Sequence, residues 1–338
     1  MTATTRTHDH PTTTPEAGGG HPGWRQVLAP AAAVAVLLTV LVSAFAWPAV
    51  RSAPHGIGLA VAAPAPAAAQ LEGRLAAAAG EDAFDVTVVA DRAAAEEAIR
   101  EREVYGAVVL GPSGGEMLVA SAASPAVGQA LTQLAARIPA GAGGPLPVTD
   151  VVPLPAEDPR GVGLATGLLP LLAGGVALGA LAAVEVRRRG VRLVSLALGA
   201  AAGGAVVIGL LQGWLGALDG SPWLTWSVAT LVVGAVAATV TGLHRHLGTP
   251  GIALGALLVI VLGNPLSGVA SAPEMLPAGW GALGQWLPAG AGATALRSVA
   301  FFEGAGSGRA FVALGLWLLA GLVLLALPTR RSRSVSAA

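Results

Sequence analysis

The chain has 338 residues, and its 19 basic side chains are all arginine, balanced by 19 Asp and Glu to a net charge of zero. Without lysine there is no Walker P-loop, no Schiff-base lysine and no lysine general base, so the chain is not its own ATP motor. The absence of cysteine removes disulfides, thiolate nucleophiles and Cys-type zinc sites, and the charge balance gives no indication of a nucleic-acid partner.

Residues 1–26 are expected to be a disordered cytoplasmic tail, because they are mostly Thr, His, Pro and Gly with little apolar content. His8, His10 and His21 have no further ligands nearby, so a solvated tail is expected there and not a metal site. The run 27–47 is the first of six apolar stretches, followed by 161–184, 193–214, 223–243, 251–270 and 310–328. Each is about 20 residues, which at about 1.5 Å per residue crosses a hydrocarbon core of about 30 Å as a helix. Ala44-Phe45-Ala46 has the form of a signal cleavage site, but the apolar run is longer than an h-region and lacks a strongly basic n-region, so a retained anchor is expected.

Residues 48–160 read as a small α/β domain. Ile57–Ala62 and Phe84–Ala90 are β-type runs, the second alternating in polarity, and alanine-rich Ala67–Ala79 between them favours a helix. Asp91 is the expected N-cap of a charged helix over Ala93–Glu103, followed by strands at Tyr105–Leu110 and Glu116–Ser121. Ser124-Pro125 opens a last helix to Ile138, and the Pro/Gly-rich stretch 140–160 is expected to be a linker. Residues 48–160 carry 13 acidic residues and 7 Arg; Glu96, Glu97, Glu101 and Glu103 are expected to be solvated helix surface and not a face that attracts cations or basic ligands.

Arginine placement sets an orientation. Arg187, Arg188, Arg189, Arg192, Arg245, Arg330, Arg331 and Arg333 fall in the same alternate set of connections, which places both termini in the cytoplasm and 48–160 outside. Trp24, Trp47, Trp214, Trp223, Trp226, Trp280 and Trp286 lie at span ends or in outer loops, as expected of interfacial indoles. Inside the spans there is almost no charge, and no cluster of acid, base and nucleophile, so neither proton coupling nor an enzyme activity or cofactor is expected. Gly163/Gly167, Gly175/Gly179, Gly199/Gly203 and Gly251/Gly255 are GxxxG pairs suited to close helix packing, within or between protomers.

After the fifth span come Asn264-Pro265-Leu266-Ser267-Gly268, Pro273-Glu274-Met275-Leu276-Pro277, Gln285-Trp286-Leu287-Pro288 and Ala295-Leu296-Arg297 through Phe301-Phe302-Glu303-Gly304. Two apolar pieces, 276–287 and 289–302, are too short to cross and are set off by prolines, so 271–304 is expected to be re-entrant or interfacial at the outer leaflet.

With these motifs, and with Ala94-Ala95-Glu96-Glu97-Ala98-Ile99 leading into Val104-Tyr105-Gly106-Ala107-Val108-Val109, residues 27–328 resemble the permease subunits of type-2 ABC exporters, especially the branch grouped with phage infection proteins. The resemblance implies an α-helical integral membrane protein with six transmembrane helices (1+5) and a small extracellular α/β domain. It further implies membrane lipid around it, a homodimer, a separate nucleotide-binding ATPase subunit, and outward movement of an apolar small molecule or lipid. Glu185, Arg187, Arg188, Arg189 and Gly190 resemble a shortened ATPase-docking loop, with about eight residues between the spans. Asn264, Pro265, Gly268, Trp286, Pro288 and Arg297 are then expected at the outer rim of a substrate exit, in an apolar cleft between protomers. The rival expectation is a non-transporting envelope receptor or scaffold whose outer domain binds another envelope component or a phage.

Overall fold

The structure is a computed structural model, and it describes residues 24–111, 114–140 and 144–328. The tail expectations, including His8, His10, His21, Arg330, Arg331 and Arg333, therefore lie outside the described residues, apart from 24–26, which already belong to a helix. The chain divides into two units, 1–43 and 44–338, and the described part of the first is 24–43 of helix α1 (Trp24–Val50).

Six helices among the described residues are long and apolar enough to cross a membrane. They are α1, α5 (Val162–Glu185), α6 (Arg189–Ile208) with its continuation to Trp214, α7 (Pro222–Leu247), α8 (Thr249–Ala256) with its continuation to Leu266, and α12 (Gly308–Ala326). The continuations are wide: Gly209–Trp214 and Leu257–Leu262 are π-helical, and a last four-residue turn, α9 (Gly263–Leu266), ends the fifth apolar run.

Helix α7 is the centre of the second unit, and α5, α6, α8, α11 (Pro288–Phe301) and α12 pack on it. Each of these neighbours meets α7 through glycine. A Cβ at Gly179 of α5 would lie 2.7 Å from the Ala237 carbonyl oxygen, one at Gly204 of α6 2.9 Å from the Thr230 nitrogen, and one at Gly321 of α12 2.5 Å from backbone atoms of Ala238 and Thr239. Gly255 of α8 and Gly292 of α11 sit the same way against Val240 and Val232. Removing the side chain lets backbones touch, which gains dispersion contacts between the helices. Of the GxxxG pairs, 175/179 and 251/255 pack within the chain against α7, while Gly163, Gly167 and Gly199 receive Ala217, Leu211 and Leu178.

The α/β part contains a five-stranded sheet in the order β2-β1-β3-β4-β7, formed by β1 (Ile57–Ala62), β2 (Phe84–Val88), β3 (Gly106–Gly111), β4 (Gly114–Val119) and β7 (Val148–Asp150). Within this sheet β3 and β4 pair antiparallel and the other neighbours pair parallel. Helices α2 (Ala65–Ala79), α3 (Arg92–Arg100) and α4 (Pro125–Ala135) accompany it, and β5 (Pro139–Ala140) pairs with β6 (Gly144–Pro145). Asp91 and Ser124 are the N-caps expected: their side chains accept from the Ala94 and Val127 amides at 2.9 and 3.2 Å. The stretch 140–160 is not merely a linker. Its Val148–Asp150 segment completes the sheet beside β4, and Asp158 accepts from the Val162 and Gly163 amides, so the chain enters α5 with a carboxylate on the helix N-terminus.

Two further expectations are corrected. The α5–α6 connection is three residues, 186–188, not about eight, because both helices extend through their charged ends; Arg192 of α6 donates to the Val186 carbonyl and satisfies the end of α5. Of the two short apolar pieces, 276–287 follows a 3-10 turn at Pro273–Met275 and holds only a five-residue helix, α10 (Trp280–Gly284), because Pro277 and the left-handed Gly279 interrupt it. The second piece is α11, nearly all of it buried, with α5, α7 and α12 among its neighbours.

The α7 contacts predict opposite outcomes for one substitution in one helix. Gly179→Ala should destabilise the protein by about 1–3 kcal/mol, because the backbone of α7 cannot yield. Gly174→Ala, where a Cβ meets nothing within 4 Å, should leave stability unchanged or raise it by up to about 1 kcal/mol. Thermal unfolding of both variants in detergent checks this.

Candidate functional site

Within the second unit, the α/β part closes on the segment between α9 and α12 and leaves a cavity of about 520 Å³. Its lining includes His55, Arg102, Tyr105, Glu274, Leu276, Gln285, Thr294 and Arg297. The enclosing contacts come from several places in the sequence. The segment after α1 runs beside the 3-10 turn: the Ala53 and His55 amides donate to the Met275 and Glu274 carbonyls at 3.1 and 2.9 Å. Tyr105, at the start of β3, donates its hydroxyl to Glu274 Oε2 at 2.7 Å, and the Ser124 hydroxyl donates to the Ser271 carbonyl at 2.5 Å. On the membrane-type side, Gln285 holds two pieces together, donating to the Ser267 carbonyl at 3.0 Å while its Oε1 accepts from Thr294 at 2.6 Å. Gly284 lets α10 lie directly on the end of α9, since a Cβ there would stand 1.7 Å from the Leu266 carbonyl oxygen.

Arg102 enters the cavity from a strained position. Helix α3 ends with Arg102 and Glu103 amides donating back to the Ile99 and Ala98 carbonyls at 3.1 and 2.9 Å, the paired bonds of a Schellman ending. That motif needs a left-handed residue, normally glycine, yet the position holds Arg102 at φ 61°. An L-residue there costs roughly 1 kcal/mol or more. The guanidinium in return reaches α11, donating to the Ser298 hydroxyl and to the Thr294 carbonyl at 3.3 Å, and lies 5.2 Å from the Phe302 ring centre. Glu303, at φ 53°, is the other non-glycine left-handed residue among those described, in the α11–α12 turn whose Gly306 abuts the Arg102 side chain.

Arg297 lies deeper, 5 % exposed, with its Nη2 donating to the Val269 carbonyl at 2.9 Å. Burial, and then the Arg102 charge, lowers its pKa to about 10, which leaves it protonated at neutral pH; burial likewise lowers that of Arg102. Burial, the Glu274 charge and the hydrogen bond to Glu274 push the Tyr105 phenol well above its ordinary value, so it remains a donor.

The residues singled out in the sequence divide accordingly. Arg297 was expected at a rim and is in the interior. Trp286 is 43 % exposed, with Arg309 stacked 5.1 Å from its ring centre and its carbonyl accepting from the Trp317 indole at 2.7 Å. Asn264 is partly buried, and its Oδ1 has no hydrogen-bond partner among the described residues. Pro265 lies in α9, the left-handed Gly268 follows it, and Pro288 opens α11, so these three shape the backbone. Glu185, Arg187, Arg188, Arg189 and Gly190 are all exposed at the α5–α6 connection and share no residue with the cavity. Arg102, Tyr105, Glu274 and Arg309 were not singled out as a group. The chain's one tyrosine and an acidic residue set between prolines were the available signals.

Tyr105→Phe should destabilise the protein by about 1–3 kcal/mol, because it leaves a partly buried carboxylate without its donor. The Ala53 and His55 amides, which bond to the same segment, should exchange faster. Hydrogen exchange on wild type and variant checks this, with Glu274→Gln expected to be milder because it keeps an acceptor. No family model matches the chain, and neither a curated protein nor a solved structure matches it.

Proposed function

We propose that the chain is the membrane permease subunit of an ABC-type exporter, with both termini cytoplasmic and the α/β part outside. On this reading a homodimer passes an apolar or amphipathic small molecule or lipid outward, and a separate nucleotide-binding subunit hydrolyses ATP. The observation that carries it is the chain order: one apolar helix, an inserted α/β sheet domain, four more such helices, a short-helix segment against that domain, and a last apolar helix. The cavity supports it further, because charged groups gather between the inserted domain and the short-helix segment, whereas the long helices carry theirs only near their ends. The exposed arginines of the α5–α6 connection would face the ATPase.

A second reading is favoured by the length of that connection. Three residues leave little room for a coupling helix, which suits a non-transporting envelope receptor or scaffold whose outer domain binds another surface component.

Purification from native membranes in mild detergent separates the two. The permease reading expects a nucleotide-binding subunit and ATP hydrolysis to co-purify. Changing Arg187, Arg188 and Arg189 together to Lys keeps the positive charge that orients the helices but loses the planar guanidinium fork. That variant should retain several-fold less ATPase with the protein level unchanged. A complex without any nucleotide-binding subunit overturns the permease reading.

A further inference from the structure

The lining of the cavity beneath the α/β part includes two guanidinium groups, those of Arg102 and Arg297, that form no ion pair among the described residues. Ion pairs among the described residues are those of Arg92 with Glu96 and Glu116, so neither Arg102 nor Arg297 has a carboxylate within 4.0 Å. Glu274, an acid in the same lining, has Tyr105 bonded to one oxygen, and Asp85 and Glu103 are exposed to solvent. A guanidinium has five N–H donors. Arg297 uses Nη2 on one backbone carbonyl, and its other nitrogens are not among the sealed, unpartnered polar atoms, which are Thr230 Oγ1 and Asn264 Oδ1. Arg297 lines this cavity, and also a small adjoining space lined by Asp158, whose carboxylate is taken up by the Val162 and Gly163 amides.

Their hydrogen bonds to the Val269 and Thr294 carbonyls and the Ser298 hydroxyl give these arginines a structural role, but no carboxylate balances either charge at close range. A buried charge without a partner is destabilising, and Arg102 occupies a left-handed position that glycine would fill with less strain. Local strain of this kind persists where a site requires it. The two side chains also come from separate parts of the chain, one from the end of α3 and the other from α11, and both line one space. A space of about 520 Å³ lies in the range of small-molecule sites, and Val104, Leu276 and Pro277 give it an apolar wall.

We propose that this cavity binds an oxyanion, a phosphate or carboxylate group, held between Arg297 and Arg102, with the rest of the molecule against the apolar wall. Planar guanidinium groups recognise such oxygens with paired N–H bonds. The group belongs either to a lipid headgroup or to a water-soluble anion, and binding at this site does not depend on the transport reading.

The test uses the full chain in dodecyl maltoside, which carries no oxyanion. Thermal midpoints are measured against inorganic phosphate, acetate, and micelles doped with phosphatidylglycerol or phosphatidylcholine. A saturable rise is expected with at least one anion. A response to phosphatidylglycerol and not to the free ions identifies a headgroup, and a response to the free ions identifies a soluble source. Arg102→Gly suits the helix ending at least as well as arginine, so it should fold, and its apparent affinity should fall about tenfold or more. Arg297→Gln should do the same, and Arg92→Gln, on the α/β surface, should not. No saturable response in wild type, or equal responses in wild type and Arg102→Gly, overturns the proposal.

Discussion

Backbone contact with α7 is the constraint on which the rest of the second unit depends. Five helices approach α7 through glycine, and four of them, α5, α6, α8 and α12, reach its peptide groups. Contacts of this kind are short-range and steep, so they fix distance and rotation together. Rotation of α5 fixes where Asp158 meets its N-terminus, and therefore where the strand β7 and the sheet begin. Rotation of α11 fixes which of its residues face the α/β part. Because α11 is built largely of Ala, Gly and Ser, it can be enclosed by long helices and still present Thr294 and Arg297 to one cavity.

A polar cavity follows from this geometry. The short-helix segment would leave its broken backbone unsatisfied among apolar helices, and unsatisfied groups there are costly. Side chains bond to the carbonyls of this region: Gln285 to Ser267, Arg297 to Val269, Ser124 to Ser271, and Arg102 to Thr294 of α11. Half of these donors lie in the α/β part. The inserted domain therefore completes the hydrogen bonding of the segment beneath it, and the two are one structure in energetic terms.

The six apolar helices were legible because a run of about 20 apolar residues is a composition signal that tertiary context seldom overrides. Asp91 and Ser124 were legible because capping is local. Strand β7 was not, since Val148–Asp150 is short and lies in Pro/Gly-rich sequence, and its strand character comes from the open edge of β4. The extent of the α5–α6 turn was misjudged because Arg is a good helix former and continues a helix past the end of an apolar run. The cavity was hidden for another reason: Arg102 and Tyr105 are separated from Glu274 and Arg297 by more than a hundred and sixty residues, and only the docking of one part on the other brings them together.

The same docking limits how any function here can operate. Tyr105, Ser124, Arg102 and the segment after α1 all attach to the stretch between α9 and the end of α11, and α11 is packed against α7. A displacement of the α/β part that kept these bonds would have to carry α11 with it, and α11 cannot move alone because Gly292 lies against Val232 of α7. Interfaces packed this closely respond by switching between arrangements and not by gradual deformation. For a permease, the α/β part would then move with the core helices as one body during the cycle. For a receptor, a partner on the outer domain would be felt at α7 through the same contacts. In either case the weakest joint is the polar one, because hydrogen bonds can exchange for water or a ligand, whereas the glycine contacts on α7 cannot.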